Sequence, residues 1–88
     1  NMKFFVYYLY SEKIRRYYLG QTDSLDYRVW EHNTGSENFT KRGAPWKLIG
    51  YVPCSSRAEA VQLETKLKRS KNKNYIRWFI ENHGILME

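Results

Sequence analysis

A single cysteine, Cys54, leaves this chain without the means to form an internal disulfide. No apolar run approaches the roughly twenty residues a spanning helix needs, and no charged-then-apolar leader opens the sequence, so nothing marks membrane insertion or secretion. A reducing cytoplasm is the expected compartment. There is also no internal repeat and no low-complexity linker. Acidic residues are scarce, with 9 Asp and Glu against 15 Lys and Arg, and a net charge of +6 on so small a body favours a polyanionic partner. The 88 residues suffice for one compact domain, 1–88, but not for a second core or an enclosed cofactor pocket, which puts any site on the surface. Asn1 ahead of Met2 reads as a residue left by cloning, so the natural protein is expected to start at Met2, with this domain as the whole gene product.

What is present is a run of short elements. Lys3 to Tyr10 is a β-branched and aromatic strand, and Arg15 to Gln21 repeats that character after a polar interruption, predicting a hairpin. No Asn-Gly or Asp-Gly marks the turn; centred on Glu12-Lys13, it would place Tyr7 opposite Tyr18 on one face of the sheet. Asp23 and Asp26 resemble a capping box for a helix over about 24–33, with Leu25, Val29 and Trp30 as its apolar stripe and Asn33 and Gly35 as its stop. Gly35 to Pro45 reads as an exposed loop, and Trp46 to Val52 as a third strand closed by Pro53. Ser56 and Glu59 signal a second helix with Ala60, Leu63 and Leu67 inward; after the basic stretch Lys66 to Lys73 a last helix carries Ile76, Phe79 and Ile80. The expected fold class is α+β, a central three-stranded antiparallel sheet flanked by helices in the order ββαβαα. In a domain this small, most of Trp30, Trp46 and Trp78 are expected in the core, though each could stack on an unpaired base.

Phe5-Val6-Tyr7, Tyr18-Leu19-Gly20-Gln21-Thr22, Arg28-x-x-x-His32-Asn33, Phe39-Thr40-Lys41 and Ser56-Arg57-Ala58-Glu59-Ala60 with Glu64 together resemble the GIY-YIG nucleases over most of the chain. The similarity is greatest to short stand-alone bacterial members, themselves similar to the catalytic domains of the excision-repair nuclease and of homing endonucleases. Phe5 stands where the family name calls for Gly, and Gln21 where some relatives have a lysine. The resemblance implies that Tyr7 is a general base, with Tyr18, Arg28, His32 and Glu64 in the same site. The family's downstream Asn is assigned to Asn74, with Asn72 and Asn82 as alternatives.

The chemistry asks for the same residue types. Phosphodiester hydrolysis needs a deprotonated nucleophile, neutralised phosphoryl oxygens and help for the leaving oxygen. Tyr7 can accept a proton only if a bound cation and Arg28 lower its pKa, and Tyr18 would hold water or a phosphate oxygen, the two roles being exchangeable. Arg28 and His32, four apart on one helix, can both face the phosphate, Arg28 with two charge-assisted hydrogen bonds and His32 by a hydrogen bond or a proton relay. Glu64, at the rim of the Ala60-Leu63-Leu67 stripe, suits a single Mg²⁺ or Mn²⁺ completed by water and phosphate; an i,i+4 pair with Lys68 is the competing role. No second histidine lies near enough in sequence for a zinc site, and His83 beside Gly84 reads as a helix end.

Lys41 and Arg42 on the long loop, with Lys66, Lys68, Arg69, Lys71 and Lys73, are expected to contact phosphates, and Gly20 joins this nucleic-acid-binding set. The expected function is a metal-dependent endonuclease acting on branched, damaged or single-stranded DNA, since no appended module reads bases. The alternative is a catalytically inactive module binding DNA or RNA.

Overall fold

The computed structural model describes residues 2–35 and 38–87. Chain order is β1 (Phe4–Ser11), β2 (Arg16–Thr22), α1 (Leu25–Thr34), a 3₁₀ turn (Lys41–Gly43), β3 (Lys47–Cys54), α2 (Arg57–Ser70), α3 (Lys73–His83) and β4 (Ile85–Leu86). The class is α+β as expected. The sheet, however, has four strands in the order β2-β1-β3-β4, all pairs antiparallel. Two residues are too few to leave a periodic signal, and β4 is admitted by a close approach. At Gly84 a Cβ would stand 2.3 Å from the Tyr51 carbonyl oxygen.

β1 is central and covered on both sides, so its alternation sorts residues between two cores. Val6 and Tyr8 join Leu19, Val52, Cys54, Ala60, Leu67, Ile76 and Ile80 beneath α2 and α3. Tyr7 and Leu9 join Trp46, with Leu25 and Val29 of α1 packed over them. A bulge in β3 opposite Tyr8/Leu9 lets Leu48 pair with Leu9 while Ile49 joins the first core.

The hairpin register differs from the expected one by two residues. Tyr7 pairs with Gly20, and Tyr18 with Leu9. The turn spends four residues, 12–15, with Arg15 in the left-handed region at φ 54°. The Ser11 hydroxyl braces it, accepting from the Ile14 N–H and donating to the Gly43 carbonyl. Because a two-residue shift preserves the face, Tyr7 and Tyr18 still lie together, ring centroids 6.2 Å apart.

The helix starts divide. Ser56 caps α2, accepting from the Glu59 N–H, while the Glu59 carboxylate reaches back to Ser55. At α1 the expected Asp23/Asp26 box does not form. Ser24 is the N-cap without a side-chain bond, and Asp23 instead pairs with Arg57. Of the basic stretch, Lys66, Lys68 and Arg69 belong to α2, and only Lys71 and Asn72 separate it from α3. Pro53 lies inside β3, past the two residues that β4 pairs. Among the tryptophans only Trp46 is core; Trp30 and Trp78 are 54% and 51% exposed, each stacked on a neighbouring tyrosine of its own helix. No helix among the described residues is long and apolar enough to cross a membrane.

Candidate active site

Tyr7 projects from β1 towards α1, and its ring lies over Gly20 on the neighbouring strand. A Cβ at position 20 would be 2.6 Å from the Tyr7 hydroxyl oxygen. Gly20 is itself buried. It therefore makes room for the tyrosine and does not lie where a phosphate could meet it, which corrects its expected place among the nucleic-acid contacts.

Arg28 and His32 are one turn apart on α1 and converge on that hydroxyl, His32 Nε2 at 2.9 Å and the Arg28 Nε–H donating at 3.3 Å. His32 is fully buried. Its Nδ1 lies 2.6 Å from Thr40 Oγ1. With the ring proton on Nδ1 and donated to Thr40, Nε2 accepts the Tyr7 hydroxyl proton. Both ring nitrogens are thus spent inside the protein, and of the two roles expected for His32 the geometry suits the proton relay, not direct contact with phosphate. Arg28 also pairs with Glu31 at 3.0 Å.

Thr40 is held in turn by the loop that follows α1. The Trp46 indole N–H donates to the Thr40 carbonyl at 2.7 Å. The Asn33 amide clasps the Trp46 backbone from both sides, donating to its carbonyl and accepting from its N–H. So the segment expected as an exposed loop, Gly35 to Pro45, has Thr40 and Gly43 buried beneath its polar exterior, beside the buried Trp46. The supporting roles of Asn33 and Thr40 were missed by chemical reasoning, although both sit inside the motifs His32-Asn33 and Phe39-Thr40-Lys41.

Burial pushes the Tyr7 phenol above its ordinary pKa, the negative charges of Tyr18 and Glu64 push the same way, and Arg28 opposes them. Arg28 thus acts in the expected direction but is outweighed by burial. Tyr7 is only 1% exposed, whereas Tyr18 is half-buried and reaches the surface groove. Tyr18 also packs on the His32 ring at 4.8 Å between centroids.

Glu64 stands on α2, on the other side of the sheet, and acts on Tyr7 by charge. Its Oε2 meets Lys68 Nζ at 2.7 Å, the i,i+4 pair weighed as the competing role. A divalent cation fits this donor as a hard, partly buried carboxylate, 19% exposed. No three His, Cys, Asp or Glu side chains cluster as ligands among the described residues. Such an ion would therefore take most of its oxygens from water and phosphate. Asn74 is not brought to the site. It is exposed in the first turn of α3, where its N–H bonds to the capping Asn72 side chain.

The basic residues separate by position. Arg42 lines a groove with Tyr18, Phe39 and Trp46, and Lys68, Lys71 and Lys73 line the adjoining one. Lys41 is exposed on the 3₁₀ turn and Arg69 on α2, lining neither. Lys66 turns away from both, its ammonium 5.2 Å from the Phe79 ring.

Comparison with known proteins gives this geometry a family. The chain is similar to a UPF0213 protein of Streptococcus pneumoniae serotype 4, 31% identical over 94 residues, covering 90% of this chain and 95% of the relative. It is also similar to the UPF0213 protein lwe0147 of Listeria welshimeri serovar 6b, 35% identical over 66 residues, covering 74% of this chain and 73% of that one. No solved structure matches it significantly. The family model of the GIY-YIG catalytic domain matches residues 3–77, and with the site's residues contributed by β1, β2, α1 and α2 inside that span, the chain belongs to the GIY-YIG family.

Proposed function

We propose that this protein is a metal-dependent endonuclease that hydrolyses DNA phosphodiester bonds with little or no sequence preference, in DNA repair, recombination or processing. Membership of a nuclease family supports the class, and one observation supports hydrolysis at this site. The Tyr7 hydroxyl lies at the meeting point of His32 Nε2 and Arg28 Nε, an arrangement that can move a proton inward while a guanidinium stays beside the oxygen.

In this reading Tyr7 gives its proton to His32 Nε2 and accepts one from the attacking water, so the proton count is unchanged and the imidazolium is steadied through Nδ1–H to Thr40. Arg28 stabilises the charge on the phosphoryl oxygens by charge-assisted hydrogen bonds. Tyr18, the tyrosine at the groove surface, holds the water or a phosphate oxygen. Glu64 would hold Mg²⁺ or Mn²⁺, exchanging its Lys68 partner for the ion, which when bound supplies the charge that favours phenolate and phosphorane alike. Arg42, Lys68, Lys71 and Lys73 would grip phosphates. A cytoplasmic site of action belongs to the same proposal, since the lone buried thiol of Cys54 suits a reducing compartment.

The test is nicking of supercoiled plasmid and of a branched oligonucleotide in Mg²⁺, Mn²⁺ or EDTA, beside Tyr7→Phe and Glu64→Ala. Metal-dependent nicking should fall by about 10²- to 10⁴-fold in Tyr7→Phe and be lost in Glu64→Ala and in EDTA. The raised Tyr7 pKa, the occupied Glu64 and the remote Asn74 favour a second reading, a binding module without catalysis. DNA binding that survives EDTA and both substitutions, with no cleavage by any preparation, would establish it instead.

A further inference from the structure

Phe39 is 80% exposed, the largest exposure of any big apolar side chain among the described residues. It is not stranded on a polar surface. It lies beside Tyr18, ring centroids 6.2 Å apart, and Tyr17, Tyr18 and Phe39 line both grooves, forming the ridge where the two meet. Arg16 and Arg42 flank the ridge on one side, and Lys68, Lys71 and Lys73 on the other. No carboxylate lines either groove among the described residues. Tyr17 is held rigid, stacked on Tyr8 at 4.8 Å and against Tyr10 at 4.6 Å.

An apolar partner alone would not explain why every charged residue lining the two grooves is a cation, and a duplex backbone alone would not explain three rings turned to the surface. A strand with unpaired bases offers flat π faces to the rings and phosphates to the cations, and each stacked base contributes about 1–3 kcal/mol. We infer that the Tyr17-Tyr18-Phe39 ridge is a stacking subsite for unpaired bases of the substrate strand, next to the cleavage site, so that the preferred substrate carries a single-stranded segment. This rests on the nuclease reading only for naming nucleic acid as the substrate; the subsite is tested by binding, without cleavage.

Fluorescence anisotropy in EDTA should be compared for a labelled oligothymidylate, an oligouridylate and a duplex of equal length, with the unaltered protein, Phe39→Ala and Phe39→Trp. The unaltered protein should prefer the single strands. Phe39→Ala should weaken them about 5- to 150-fold and the duplex less than about threefold, and Phe39→Trp should restore affinity, its added emission quenched on binding. Preference for thymidylate or uridylate then assigns DNA or RNA. Equal losses for single strand and duplex, no loss in Phe39→Ala, or no preference in the unaltered protein would overturn the subsite. Failed nicking beside intact stacking would overturn only the nuclease.

Discussion

A hydrogen atom on Gly20 is what allows the Tyr7 ring to lie flat across β2 and bring its oxygen to both Arg28 and His32. Gly20→Ala puts a methyl group 2.6 Å from that oxygen, and the ring cannot retreat because α1 closes over it. The expected outcome is a loss of about 1–3 kcal/mol of stability together with a nicking rate near that of Tyr7→Phe, read by thermal melts and plasmid nicking on one preparation. Gly20→Ala that melts lower yet nicks normally would show that the Tyr7 oxygen need not sit where it does. Gly20 also marks what sequence conveys at this scale. The residue type was legible, but its reason was not, because the misplaced register set Tyr18, not Gly20, against Tyr7.

Elements were legible where they carry their own signal. The second helix has both halves of its cap, Ser56 and Glu59, within four residues, and a stripe of Ala60, Leu63 and Leu67 that admits one orientation. Local chemistry settles such a segment without help from the rest of the chain. The hairpin register and β4 depend on tertiary partners. Ser11 bracing the turn from the Gly43 carbonyl, and Gly84 admitting the Tyr51 carbonyl, join residues more than thirty positions apart, which no local pattern displays. In the site, Tyr7, Tyr18, Arg28 and His32 were legible and are brought together. Asn74 was chosen from three asparagines of which none held a clear position, and it lies in the first turn of α3 beside the capping Asn72. Gly84→Ala tests the β4 junction. The added methyl, 2.3 Å from a backbone oxygen, should cost about 1–3 kcal/mol and lower Tm by several degrees, with nicking unchanged below the transition.

For the molecule as a whole, two adjacent phenols set an alkaline limit. Burial raises the pKa of Tyr7 and of Tyr8, the latter pushed up to about 12, against an ordinary value of about 10. The folded protein therefore keeps protons that the unfolded chain releases. The stabilisation is complete below about pH 10 and is lost as pH rises towards the folded values. Urea melts between pH 9 and 12 should show stability falling above about pH 10, and in Tyr8→Phe the slope should be shallower by roughly 1–2 kcal/mol over that range. An equal slope in both proteins would place the alkaline loss elsewhere.

β1 is the strand on which Tyr7 looks one way and Tyr8 the other, and it is paired along both edges. Its amide protons should accordingly be the ones whose exchange demands opening of the entire domain. The Tyr7 side chain should therefore keep its place up to the temperature at which the fold itself gives way.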